Sequence, residues 1–360
     1  MKYRSILFIG TNSGTSRHRA SAMERLGHEV CIIDPREFLP KTRVADYWLF
    51  HQGALWCDGI VARGVLNRLP AGRFDLVWVD GGDLVSADLV CELKRRFGRV
   101  VNYCIDDPYG KRDGKKWRHY LRAVPFYDLV VVLRECNVAE AYRAGASNVL
   151  RVYMTADEIA HWRRSVSEAE WTRWHSEVLF IGTWMPERGS FLAAIMQLGV
   201  PLSIYGDRWH KAPEWPTLRP AWKGPGLYGS ADYALAIRCA KVCIGLLSKG
   251  NRDETTTRSF EIPLLRSVLC AERTSEHCRL YREDEEAVFW STAEECAHKC
   301  RLLLTNDELR TSIAARGQTR CIENQTLNEP MIDRVLSAID RTVAAEKPYV
   351  SAVDVATPVT

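Results

Sequence analysis

The sequence predicts an α/β protein of two successive domains, each a parallel sheet flanked by helices. Three observations predict it: short β-branched runs alternate with amphipathic stretches, the series halts at a polar segment near the middle, and it restarts with a fresh strand and a glycine-containing turn. With 360 residues, 46% of them hydrophobic, the chain is long enough for two cores.

The first series is SILFIG (5–10), EVCIID (29–34), DLVWVD (75–80), RVVNYCID (99–106), DLVVVL (128–133) and NVLRVYM (148–154). The interruption, residues 155–177, is polar and helix-forming, and its Trp162, Trp171 and Trp174 suit packing between domains. The second series is VLFIGT (178–183), LSIYGD (202–207), KVCIGLL (241–247), VLCAE (268–272) and AVFWS (287–291). Two Rossmann-like domains are the economical reading, over residues 1–170 and 175–325, followed by a closing helix over 326–345 and a loose tail over 346–360.

Composition narrows the class. No charged-then-apolar leader precedes SILFIG and no apolar run approaches a membrane span, which predicts a cytoplasmic protein without a transmembrane segment. The 12 cysteines include no C-x-x-C, and Cys31, Cys104 and Cys270 sit within strand-like runs, as reduced buried thiols do. Cys239 with Cys243, and Cys296 with Cys300, share helix faces while His298 points elsewhere, so these spacings read as buried faces and not as zinc sites. The net charge of +4 is uneven: residues 1–150 hold 23 Lys and Arg against 17 Asp and Glu, whereas residues 151–360 hold 26 against 28. The basic first half points to an anionic partner.

Candidate chemistry lies at the carboxyl ends of the strands, where open parallel sheets take their ligands. After SILFIG, the loop with Gly10 and Gly14 resembles a nucleotide-binding turn but lacks G-x-G-x-x-G, and His18 opens its helix where a general base would reach an acceptor. Asp106 and Asp107 end their strand before Pro108, so either carboxylate is placed to accept a proton. Asp80 and Asp83 hold a similar edge and would position an acceptor. Lys115, Lys116 and Trp117 belong to a basic, aromatic-interleaved stretch (109–122) suited to an anionic acceptor.

In the second half, Arg188 follows the turn GTWMPERG, and Tyr228 offers a face to a nucleobase. The segment SKGNRDETTTRSFEIP (248–263) then places Asp253 and Glu261 with seven residues between them, and Thr257 and Arg258 at a helix start. Such a start favours phosphate, the arginine adds a cation, and a carboxylate one turn in accepts from ribose hydroxyls. The same residues are ordinary helix capping chemistry, so the segment needs support from its surroundings.

That support is a family resemblance. Residues 178–325 resemble the glycosyltransferases of GT-B fold, and within them the CgeB-like group named for a spore maturation protein, through VLFIGTWMPERGS, SIYGDRW, LYGSADYALAIRCAKVCIGLL, TTTRSFEIP, ERTSEHCRLYREDEEAVFWSTAEE and LLLTNDELRTSIAARGQTR. The first domain is more loosely similar, through YCIDDP and LRECNVAEAYRAGASNVLRVYM. The resemblance implies two domains facing each other across a cleft, Glu261 on the ribose, Arg188 and Arg258 on the diphosphate, and Asp253 or Glu254 near the donor sugar. Three positions depart from the pattern: an aspartate, Asp106, stands where a histidine is frequent, Leu265, Arg266 and Ser267 replace a small-residue and glycine step, and Asn324 and Gln325 stand near a missing histidine.

The function expected is transfer of a sugar from a nucleotide-diphosphate donor to an acceptor hydroxyl, with the nucleotide sugar as co-substrate and no metal or other cofactor. An anionic acceptor fits the basic first half, either modified nucleic acid or an envelope glycolipid or polymer. A nucleotide-sugar epimerase, or a non-catalytic nucleotide-sugar binding protein, would use the same fold.

Overall fold

The computed structural model describes residues 4–162, 164–228 and 231–346. Six strands, β1 (Ser5–Ile9), β2 (Glu29–Ile33), β3 (Leu76–Asp80), β4 (Val100–Tyr103), β5 (Leu129–Val132) and β6 (Val149–Arg151), form a sheet of order β2-β1-β3-β4-β5-β6. All its pairings are parallel. Residues 6–9 of β1 are completely buried, which is why this strand reads as an unbroken apolar run: helices cover both faces of the sheet.

A second parallel sheet, order β12-β11-β10-β7-β8-β9, comprises β7 (Ser176–Ile181), β8 (Leu202–Tyr205), β9 (Trp222–Gly224), β10 (Ala240–Gly245), β11 (Val268–Glu272) and β12 (Val288–Trp290). Eleven of the twelve strands coincide with expected runs. The exception is β9, a three-residue edge strand with Trp222 and Lys223 exposed, too short and too polar to leave a periodic signal.

The two-domain expectation holds, and the packing adds a shared core. One apolar cluster runs from Ile6 and Trp78 of the first sheet through Leu179 of the second sheet and Phe260 of the helix Arg258–Leu264 to Val335 near the end of the described residues. The closing helix, Asn328–Glu346, returns to the first domain: Arg25 Nε donates to Glu329 at 2.6 Å, and Thr155 Oγ1 to Asn328 at 2.6 Å. The expected tail lies beyond this helix, and residues 347–360 are outside the described residues.

In the interruption, the helix is only Glu168–Trp174, opened by a capping box of Ser167 and Glu170. Trp174 is buried in the shared core, whereas Trp162 and Trp171 are about half exposed, at 49% and 45%, so the interdomain packing expected of all three belongs to Trp174.

Two backbone details shape the sheet edges. A Cβ at Gly10 would lie 2.7 Å from the Asp80 Cβ, so only glycine lets the loop after β1 pass β3. Arg266 holds a left-handed φ of 58°, where the resemblance leads one to expect a glycine step.

Candidate active site

Between the domains lies a cleft of about 610 Å³. The first domain contributes Thr15 and His18 from the opening turns of the helix Gly14–Arg25. The interruption contributes His161 and Trp162. The second domain contributes Tyr228, Tyr233, Thr257, Arg258 and Glu261, the last two on one short helix, Arg258–Leu264, three residues apart and therefore on one side of it. The structure thus brings together five residues singled out in the sequence: His18, Tyr228, Thr257, Arg258 and Glu261.

Glu261 is 3% exposed and carries an asymmetric set of partners. Its Oε2 accepts a short hydrogen bond from the Tyr233 hydroxyl. Its Oε1 lies 3.6 Å from His161 Nε2, beyond hydrogen-bonding range, and retains its acceptor capacity. His161 Nδ1 accepts from the Asp157 backbone N–H at 2.9 Å, so the neutral ring carries its proton on Nε2, on the side of Glu261. Sequence reasoning missed His161 and Tyr233. Tyr233 sits inside a quoted motif, but a lone histidine in a polar interruption carries no sequence signal.

His18 meets His161 edge-on, ring centroids 5.5 Å apart, and its Nδ1 is buried without a partner. Burial pulls its pKa below the ordinary histidine value; the charges of Asp157 and Glu261 oppose that pull without reversing it. A neutral imidazole with an unsatisfied nitrogen is equipped to take a proton.

Among the described residues Arg188 and Arg258 are cations without counter-ions. No carboxylate of the described residues lies within 4.0 Å of either guanidinium, and the Nε atoms of both are buried without a partner. Arg188, 4% exposed, donates only to backbone carbonyls, of Thr183 at 2.9 Å and Leu247 at 3.2 Å. Burial, and then the neighbouring Arg258 charge, bring its pKa down to about 10. A buried cation, Arg188, beside a part-buried one, Arg258, both without a carboxylate partner, marks a place suited to an anion. Tyr228, half exposed, has its hydroxyl 3.4 Å from Thr183 Oγ1 on the same rim.

A polar seam joins the domains elsewhere. Asp253 is clasped by Arg134, whose Nε donates at 2.8 Å while its Nη1 donates to the Ile105 carbonyl at 3.1 Å. Asp107 is buried under four hydrogen-bond donors: Arg252 Nε at 2.6 Å, Arg252 Nη2 at 2.8 Å, Asn137 Nδ2 at 2.9 Å and the Gly110 backbone N–H at 3.0 Å. Burial pushes its carboxyl up, but the hydrogen bonds from Arg252 and Asn137 hold it below the ordinary value. Asp106, one residue earlier, remains a third exposed, with Arg112 at 3.6 Å and Lys116 at 3.7 Å. Of the two strand-tip carboxylates, only Asp106 faces solvent. Arg134 and Arg252 were not anticipated, because each acts on a partner more than a hundred residues away.

The remaining candidates separate. Glu254 is exposed, and accepts from Ser275 Oγ at 2.5 Å and the Glu276 backbone N–H at 3.2 Å, which ties it to the start of the helix Ser275–Leu280. Asp80 is locked by Arg19, at 2.7 and 2.6 Å, and with Asp83 lines a second cavity of about 310 Å³ at the edge of β1, β2 and β3. Burial raises the Asp83 carboxyl above its ordinary range. Lys115 is exposed and Lys116 lies over the Trp117 ring, but Trp117 is 3% exposed and donates from Nε1 to Asp113 at 3.0 Å. The open stacking surface expected at Trp117 is a packed core position instead, because its one polar atom finds Asp113 four residues back in the same turn.

Cys296 and Cys300 share the helix Ala293–Thr305 as expected, but Cys243 lies in strand β10 and Cys239 just before it, so no helix face joins that pair. Cys239, Cys243, Cys296 and Cys300 are all buried and His298 is exposed. Strand β11 also brings Cys270 beside Cys296 and Cys300, the three sulfurs lying within 4.8 Å of one another. Sequence separation hides this cluster.

These features define a class. Residues 188–333 match the model of the family described as glycosyl transferase-like, a segment running from Arg188 through Arg258 and Glu261. The described residues have the two-domain GT-B architecture of solved glycosyltransferases. The chain is similar to sucrose-phosphate synthase from Thermosynechococcus elongatus, with a TM-score of 0.68 and 12% identity over 96% of this chain and 100% of that one. It is also similar to HepE of Anabaena in complex with UDP-glucose, with a TM-score of 0.62 and 13% identity over 95% and 100%. A putative UDP-N-acetylglucosamine 2-epimerase from Listeria monocytogenes has a TM-score of 0.56 and 10% identity over 95% and 97%. No curated protein gives a significant match. Among the described residues no helix is long and apolar enough to cross a membrane.

Proposed function

We propose that the protein is a glycosyltransferase of the CgeB-like group that moves a sugar from a nucleotide-diphosphate donor to an acceptor hydroxyl. The observation that carries this is the pair of carboxylate-free guanidiniums, buried Arg188 and its part-buried neighbour Arg258, the latter lining the cleft with the free Oε1 of Glu261. In this reading the two arginines bind the diphosphate and stabilise the charge that builds on it as the glycosidic bond breaks. Glu261 Oε1 accepts from the ribose, and Tyr228 flanks the base.

His18 takes the acceptor proton, with Asp106 as the second candidate at the first-domain edge. Asp253 stands behind the donor sugar, held by Arg134. The acceptor enters from the first domain, where Asp83 and exposed Lys115 and Lys111 favour a hydroxyl on an anionic molecule. The arginines supply the positive charge, so the reaction proceeds without a divalent ion.

The test is a thermal-shift panel of nucleotides and nucleotide sugars on the wild type, Arg258→Ala and Glu261→Ala. The expected result is stabilisation of the wild type by one nucleoside diphosphate and its sugar conjugate, lost in both variants. Stabilisation by none, or an equal response from the variants, overturns the donor site. Donor isomerised when incubated alone overturns transfer in favour of epimerisation, and turnover abolished by EDTA overturns metal independence.

A further inference from the structure

The helix Arg43–Gln52 has two apolar faces, and only one of them is used inside the molecule. Ala45 and Leu49, each 8% exposed, pack inward at i and i+4. Val44, Tyr47, Trp48 and His51 fall at i, i+3, i+4 and i+7 and form a second stripe that faces solvent. Val44 is 67%, Tyr47 61% and Trp48 50% exposed. Beyond the Gly53 turn the pattern continues in Trp56 at 52% and Ile60 at 48%. Large apolar side chains concentrated this way are not scattered surface residues and require a partner.

The surroundings of this face are basic. Lys115 Nζ donates to Gln52 Oε1 at 3.4 Å, and Gly53 packs so closely against the Lys115 carbonyl and Arg118 that a Cβ there would lie 2.5 Å from the former. Exposed Lys41 precedes the helix. The nearby acids are engaged: Asp46 is ion-paired with Arg36, and Asp58 accepts from the Gly59 backbone N–H at 2.6 Å.

We propose that this face, Val44 to Ile60 with its Lys115 and Arg118 rim, docks the protein on the surface of an anionic lipid bilayer. Tryptophan and tyrosine have an apolar body and a polar tip, which suits the headgroup boundary, and a helix lying in that plane buries one stripe while lysines reach anionic headgroups. Charge complementarity selects the bilayer as the occupant, since an apolar face with a cationic rim gains from both contributions there. The docking goes beyond the proposed transfer reaction and is read without donor or turnover.

The experiment is co-sedimentation of the full chain with vesicles of phosphatidylcholine alone and of phosphatidylcholine with phosphatidylglycerol at three to one. Tyr47→Glu with Trp48→Glu, and Lys115→Glu with Arg118→Glu, serve as variants, and each is checked for an unchanged melting temperature. The expected result is binding to the anionic vesicles that falls at least about tenfold on phosphatidylcholine alone and in each variant pair, and that weakens as salt rises. The lipid and salt dependence of the wild type tests the proposal even where a variant fails to fold. No binding to anionic vesicles, or binding unchanged by Tyr47→Glu with Trp48→Glu, overturns it. So does light scattering that shows a dimer split by the same pair, which would make this face a contact between two copies of the chain.

Discussion

Arg134 of the first domain and Asp253 of the second form an ion pair in which both side chains are 5% exposed, with Arg134 Nε 2.8 Å from the carboxylate. Removing one partner leaves the other charged and buried, whereas removing both with apolar replacements does not. Asp253→Leu and Arg134→Met are each expected to cost about 3–5 kcal/mol of stability, and the two together much less than either single change. Urea unfolding of the four proteins checks this, and strict additivity would contradict it.

The second interdomain clamp is more open, since the Arg252 side chain is 38% exposed, and water screens its pairing with Asp107. Arg252→Ala is expected to cost only about 1–2 kcal/mol. The Asp107 carboxyl is held below its ordinary value, so its contribution is present above the ordinary carboxylate range and lost as pH falls through the lowered folded value. The urea midpoint difference between wild type and Asp107→Asn should therefore be constant near neutrality and vanish in acid.

Arg258 should matter to phosphate and to nothing else on the ligand. A charge-assisted hydrogen bond contributes about 1.5–3 kcal/mol, so Arg258→Ala should weaken nucleoside diphosphate binding by roughly 10- to 150-fold. Titration calorimetry should show the unphosphorylated nucleoside unaffected.

Glu261 should sense the ribose. Wild type is expected to prefer a nucleoside diphosphate over its 2′,3′-dideoxy counterpart, and Glu261→Ala to bind both alike, because Oε1 is the acceptor lost. Tyr233→Phe, which removes the hydroxyl donating to Oε2, should raise the donor KM severalfold and leave kcat nearly unchanged.

Burial lowers the His18 pKa below its ordinary value of about 6.5, so the neutral base persists into mild acid. The acid limb of the kcat/KM profile should have its midpoint below about pH 6.5. His18→Ala should remove that acid limb together with most of the rate, about 10²- to 10⁴-fold. A limb that survives in His18→Ala would assign the base to another group, Asp106 first.

Local periodicity made most of this protein legible. Strands buried on both faces leave unbroken apolar runs, so eleven of twelve were visible, and Arg258 and Glu261 could be placed together because a helix repeats every 3.6 residues. The basic first half was equally plain, as was the restart of the strand series after residue 177.

Only the tertiary structure decided which carboxylates are free. Asp107 and Asp253 read as reactive strand-tip and loop acids, yet Arg252 and Arg134 cross the domain boundary to occupy them. His161 enters the cleft from an interruption with no motif, and Tyr47 and Trp48 declare an unused face only once Ala45 and Leu49 are seen to fill the used one. The reason is physical: backbone periodicity is set by neighbours three or four residues away. Ion pairing, desolvation and exposure depend on how two separately wound sheets come to face each other.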